Sequence, residues 1–178
     1  MTAAPLTRFR TYPLRGLADL VAALQLMSWV GDMLVQVLRG IQVESSTLAP
    51  LAVLVSVALL TSVILLVVWA YRARCNLDGI HGTRPRWSAG WTIAGWFVPA
   101  ANLVLIPLTL LDLIRNSAGA RAGRMRLLLV GFFAVAAVDA GLWMLGSALL
   151  AALVSGAATG FLLSLVFGIS DAQERLLG

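Results

Sequence analysis

The sequence predicts an all-α integral membrane bundle, with four spanning helices plus a proline-broken helix pair that re-enters the bilayer or lies at its interface. Three observations carry this. Hydrophobic residues make up 60% of the 178 residues and charged residues only 12%, against roughly 25% charged in soluble domains. Long apolar runs recur along the chain, each long enough to cross a ~30 Å hydrocarbon core at ~1.5 Å per residue. Two strongly basic loops flank one segment, and that segment carries two prolines. Five spanning helices are the alternative.

Taken in order, residues 1–15 form a polar juxtamembrane arm, with Arg8, Arg10 and Arg15 for anionic headgroups and Phe9 and Tyr12 for the interface. The first span, 16–38, is not uniformly apolar. Gln25, Ser28, Asp32 and Gln36 recur at helical spacing and make one polar stripe, which in lipid must face protein or water. Residues 39–50 read as a near-neutral loop. The second span, 51–71, has no ionisable group, and 72–86 reads as a loop with four arginines against Asp78, a net of +3.

The broken element covers 87–114. Pro99 and Pro107 interrupt it, because proline lacks an amide donor and breaks helices. Trp87, Trp91 and Trp96 give it a headgroup-level, aromatic character. The following loop carries Arg115, Arg121, Arg124 and Arg126 with no acid. Spans at 127–145 and 148–169 lead to a tail at 170–178.

Charge sets the expected topology. Short basic loops remain cytoplasmic, and the loops on either side of 87–114 are both basic. A single crossing would put one of them outside. Entry and exit on the same side keeps both in, and places both termini in the cytoplasm of a bacterial inner membrane. Halves at about 87–98 and 107–116 then match the 10–14 residues typical of re-entrant pieces.

Composition also narrows function. The formal charge is +5, and all 13 basic residues are arginine. A basic chain invites a nucleic-acid reading, but these arginines flank apolar runs, so no nucleic-acid partner is expected. Cys75 is the sole cysteine and His81 the sole histidine, too few for a zinc site. No HExxH, GxSxG, Walker-type or GxGxxG pattern occurs. No catalytic, metal or cofactor-binding residue is therefore expected, and the chain reads as non-enzymatic.

Two groups of candidates remain. Asp139 lies inside an apolar run, where a carboxylate costs roughly 2.5–3.5 kcal/mol on insertion scales. Asp32 is its expected companion, and if the two acids face each other they can share a proton, which would suggest proton-coupled transport by a small transporter or channel. A structural bond from Asp139 to Gln25, Ser28 or Trp143 is the plainer role. Arg72 and Arg74, with Arg84, Arg86 and Arg115, are expected to face anionic lipid or a partner, or simply to fix topology. Asn102 is placed to cap a half-helix. Small residues at Ala148, Ala152, Gly156, Gly160, Ser164 and Gly168 predict a close-packing face, either within the bundle or toward a membrane protein partner or second copy.

The pattern Trp69-x-Tyr71-Arg72-Ala-Arg74-x-Asn76, followed by Arg86-Trp87-x-x-Gly90-Trp91-x-x-x-Gly95-Trp96-Phe97-Val98-Pro99-x-x-Asn102 and Pro107, resembles domain-of-unknown-function family 4328. That family comprises small bacterial multi-pass membrane proteins. The resemblance covers the central third closely and extends, less specifically, to Gln173; Leu108 stands where the family often has an aromatic. It implies membership and no activity. The expected function is an accessory or scaffold protein binding lipid or a partner through this Trp/Arg/Pro element, with the Asp32/Asp139 transporter as the alternative.

Overall fold

In a computed structural model the described residues are 11–80 and 82–177, and the side chains of 99–103 fall outside the description. Arg8, Phe9, Arg10 and His81 therefore lie outside the described residues, as do the side chains of Pro99 and Asn102. The described residues form six α-helices and no strand: α1 (Arg15–Gly40), α2 (Ser45–Leu77), α3 (Ala89–Phe97), α4 (Pro99–Ser117), α5 (Ala122–Met144) and α6 (Ala148–Leu177). A 3-10 turn at Gly119–Arg121 joins α4 to α5. Four helices, α1, α2, α5 and α6, are long and apolar enough to cross a membrane. Their outward faces carry large apolar side chains such as Leu26, Val53, Leu54, Leu127 and Leu153, an exposure that suits lipid and not water.

The four long helices form a row rather than a closed square. α5 packs along α6, α6 along α1, and α1 along α2. The short pair α3–α4 fills the space between α2 and α5 at one end, with α4 touching α2, α5 and α6. Both described chain ends lie at that end. Tyr12 bonds Asn76 near the close of α2, and Arg15 bonds Asp171 and Glu174 near the close of α6. The arginines at 72–86 and 115–126 gather there too, so this is the arginine-rich end of the bundle.

The α3–α4 pair is an antiparallel hairpin that enters and leaves at the same end. Arg84 N donates to Asn116 Oδ1 at 3.0 Å, and Arg86 N donates to Asp112 Oδ2 at 2.8 Å. Further in, a Cβ on Gly95 would sit 3.1 Å from Leu105 Cβ. The partners thus advance in opposite directions along the chain. Nine residues of α3 reach ~14 Å, about half of a ~30 Å core. The expected bundle of four long apolar helices plus a short proline-broken pair, entering and leaving at one end of the bundle, is what the chain folds into.

Several expected boundaries move. Only one proline ends a helix: Val98 is extended (φ −102°, ψ 103°) and Pro99 opens α4. Pro107 sits inside α4 without breaking it, because proline removes one backbone bond and a packed membrane helix tolerates that. The N-cap of α4 is Val98, so Asn102 belongs to the first turns of the helix and does not cap it. Helix α2 runs on to Leu77, making Arg72, Arg74 and Asn76 helical where a loop was expected. The tail at 170–178 continues α6 to Leu177, with Ser170, Ala172 and Gln173 buried.

The buried core follows the hairpin. Leu17 and Val21 of α1, Leu66 and Trp69 of α2, Leu113 and Ile114 of α4, Leu129 of α5 and Leu165 and Ile169 of α6 form one cluster, all toward the arginine-rich end. The opposite half holds few buried apolar side chains. That asymmetry leaves room there.

Candidate functional site

Three arrangements occupy the molecule: a buried polar lattice and an arginine groove at one end, and a cavity in the other half.

The lattice is built from polar side chains that close gaps between distant helices. Trp69 Nε1 donates to Ser170 Oγ at 3.0 Å. Gln173, fully buried, donates through Nε2 to Ala73 O and to Ser117 Oγ, both at 2.9 Å. Asn76 accepts from Tyr12 N at 2.7 Å and donates to Tyr12 O at 2.9 Å. Arg74 is buried, pairs with Asp78 at 2.8 Å and donates to Trp87 O. Arg72 lies over the Tyr12 ring, 5.9 Å from its centroid. Each buried polar group so satisfied avoids a desolvation cost of about 1–3 kcal/mol. Arg74 and Asn76 therefore hold the fold together, and the expectation that Arg74 faces lipid is corrected: its guanidinium is spent internally.

The groove lies beside the hairpin. Arg86 from the 78–88 loop, Arg115 from α4 and Arg126 from α5 surround about 480 Å³, with Trp87, Leu108 and Leu111 as an apolar wall. The three arginines are exposed and make no ion pair among the described residues. Asp112 also lines the groove, but its carboxylate is occupied by Arg86 N and by Asn116 Nδ2 at 3.1 Å. Trp87 meets Trp91 edge-to-face at 6.4 Å, and Trp91 is largely exposed. Trp96 packs against the apolar core instead.

The cavity lies in the half that the hairpin does not fill. It measures about 420 Å³ and is walled by Gln25, Ser28, Trp29 and Asp32 of α1, Val55, Ser56 and Leu59 of α2, Phe132, Ala136, Asp139 and Trp143 of α5, and Ser155, Ala158 and Thr159 of α6. Asp32 and Asp139, expected as companions, thus line one cavity. Asp32 Oδ1 accepts from Gln36 Nε2 at 3.1 Å. Asp139 Oδ1 is buried with no hydrogen-bond partner. The expected structural bond from Asp139 to Gln25, Ser28 or Trp143 is not made at that oxygen: Gln25 takes the Ser62 hydroxyl at 2.7 Å, and Ser28 donates to Leu24 O at 2.8 Å.

The small-residue face of α6 does not act as one seam. A Cβ on Gly156 would lie 2.6 Å from the Trp29 ring, and one on Gly168 would lie 2.7 Å from Met125 Cε, whereas Gly160 has nothing within 4 Å. Every fourth residue advances about 40° around a helix of 3.6 residues per turn, so six such residues wrap half the circumference and meet different neighbours.

Residues that sequence reasoning passed over include Asp112, Asn116, Ser117 and Ser170. Asp112 and Asn116 stand four apart on α4, a spacing that signals a shared polar face. Nothing local marks Ser117 or Ser170.

The family model Domain of unknown function (DUF4328) matches residues 41–166, and the chain belongs to that family. No match was found among curated proteins or among solved structures.

Proposed function

We infer that this is a non-enzymatic accessory protein of the bacterial cytoplasmic membrane that holds an anionic phospholipid at its arginine-rich end. The carrying observation is the groove: three unpaired guanidinium groups, Arg86, Arg115 and Arg126, rim a hollow with a Trp87, Leu108 and Leu111 wall. Guanidinium groups bind phosphate oxygens in bidentate fashion, and the apolar wall suits the glycerol and upper acyl region. The net charge of the lining is +2, three arginines against Asp112. With the positive-inside rule, this end and both described termini face the cytoplasm. Bonds from Arg74 to Trp87 O and from Arg86 N to Asp112 hold the loop that supplies the groove's wall.

The test is lipid retention. The protein, reconstituted in nanodiscs of equal phosphatidylglycerol and phosphatidylcholine and then extracted into mild detergent, should retain phosphatidylglycerol selectively. Replacing Arg86, Arg115 and Arg126 together by Ala should remove the selectivity. Equal retention of both lipids by the native chain would contradict the reading.

A second reading, a small carrier or channel, rests on the cavity that Asp32 and Asp139 share. Proton or solute flux in proteoliposomes, lost in Asp139→Asn with unchanged expression, is its test.

A further inference from the structure

We propose that the cavity between α1, α2, α5 and α6 binds a small organic ammonium ion, a protonated amine carrying an apolar body. The inference concerns equilibrium binding and stands whether or not the ligand is carried across the membrane.

Size comes first. About 420 Å³ lies within the ~300–1,000 Å³ of small-molecule sites, and far exceeds what a bare ion needs. Hydrogen-bonding capacity comes next. Three serine hydroxyls on the wall already donate to backbone carbonyls of their own helices: Ser28 to Leu24 O, Ser56 to Ala52 O and Ser155 to Ala152 O. The Trp29 indole N–H is likewise spent on Ala152 O at 2.9 Å. What these groups leave facing the cavity, against the remaining neutral donors of Gln25 Nε2, the Trp143 indole and the Thr159 hydroxyl, is acceptor capacity. To it are added the two carboxylates, with Asp139 Oδ1 buried and unpartnered. No Arg, Lys or His lines the wall. Such an acceptor-rich, cation-free site is matched by a ligand that brings N–H donors and positive charge.

The remaining wall distinguishes an organic from an inorganic cation. Trp29, Phe132 and Trp143, with Val55, Leu59, Ala136 and Ala158, offer aromatic and aliphatic surface, which attracts ammonium groups and buries their substituents. Hard metal cations instead take six or more oxygens, and among the described residues no group of three or more His, Cys, Asp or Glu is arranged to hold a metal.

The test uses the full chain purified in detergent, with detergent alone as blank, and equilibrium dialysis of phenethylammonium against neutral 2-phenylethanol at pH 7. Saturable binding of the ammonium is expected, at least about tenfold tighter than the alcohol, and weakened at least about tenfold by Asp139→Asn. Sodium chloride at equal concentration should not compete. Because Asp139→Asn removes charge from a membrane helix, Ala136→Phe serves as a second variant that fills the cavity and leaves both carboxylates; it should also abolish binding. Equal binding of the alcohol would show an apolar pocket suited to lipid or detergent. That result, undiminished binding in both variants, or no saturable binding by the native chain would overturn the proposal.

Discussion

The side chain of Asn76 closes both hydrogen bonds of the Tyr12 peptide unit. Tyr12 N donates to Oδ1 at 2.7 Å and Nδ2 donates to Tyr12 O at 2.9 Å. The two residues stand 64 positions apart, and Asn76 is 1% exposed. An asparagine near the end of a helix thereby replaces a neighbouring strand for the chain entering α1, and fixes where the first span begins.

Replacing Asn76 by Ala should therefore destabilise the bundle by about 1–3 kcal/mol, since it orphans a backbone N–H and C=O at once. Asn76→Asp sets a buried carboxylate oxygen against Tyr12 O and should cost at least as much as Ala. Thermal unfolding in detergent checks that both variants fall below the native chain, with Asp no better than Ala. Faster amide exchange at Tyr12 in both variants should accompany it.

Two glycines four residues apart on α6 should respond oppositely to the same change. Gly156→Ala puts a methyl 2.6 Å from the Trp29 ring and displaces the indole that bonds Ala152 O, at a cost of about 1–3 kcal/mol for overpacking. Gly160→Ala meets nothing within 4 Å, and should be neutral or slightly stabilising through helix propensity. Comparing the melting temperatures of the two variants tests whether the small-residue face is divided as described.

Gln173 ties three helices together through Ala73 O and Ser117 Oγ. Gln173→Leu preserves much of the volume and removes both bonds, but it also removes the buried, unpartnered Gln173 Oε1, and should cost about 1 kcal/mol. Removing residues 170–178 altogether should be worse, because Ser170 and Ala172 lose their packing with it. Expression level and melting temperature of the two variants give the comparison.

Much of the fold is legible in the sequence. Runs of apolar residues mark the four spans, and the polar stripe of Gln25, Ser28, Asp32 and Gln36 points inward, with Ser28 and Gln36 buried. Basic loops on both sides of 87–114 predicted that this segment returns to the end it leaves. The helix ends were not legible. Arg74, Asn76, Ser170 and Gln173 read as loop and tail because they are polar. Three of them are buried because each finds its partner far along the chain, 64 positions away for Asn76 and about 100 for Ser170 and Gln173, whereas Arg74 is held by Asp78 and Trp87 close by. Pro107 misled for a different reason, since a local rule for breaking helices ignores the packing around one. The arginine groove was half visible. Arg86 and Arg115 belonged to the expected cationic surface, but Arg126 joins them only because α5 packs on α4.

The central claim is that the α3–α4 hairpin enters and leaves on one side of the membrane. Cys75, half-buried near the end of α2, is the only native cysteine. With Cys75 replaced by Ser, single cysteines at Ala120, in the exposed turn after α4, and at Gln42, in the turn between α1 and α2, are labelled with a membrane-impermeant maleimide in intact and in permeabilised cells. The hairpin predicts that Ala120→Cys labels only after permeabilisation, as native Cys75 should in the unmodified chain, while Gln42→Cys labels in intact cells. Labelling of Ala120→Cys from the outside, with Cys75 still protected, would mean that α3 and α4 together cross the membrane, and would contradict the account.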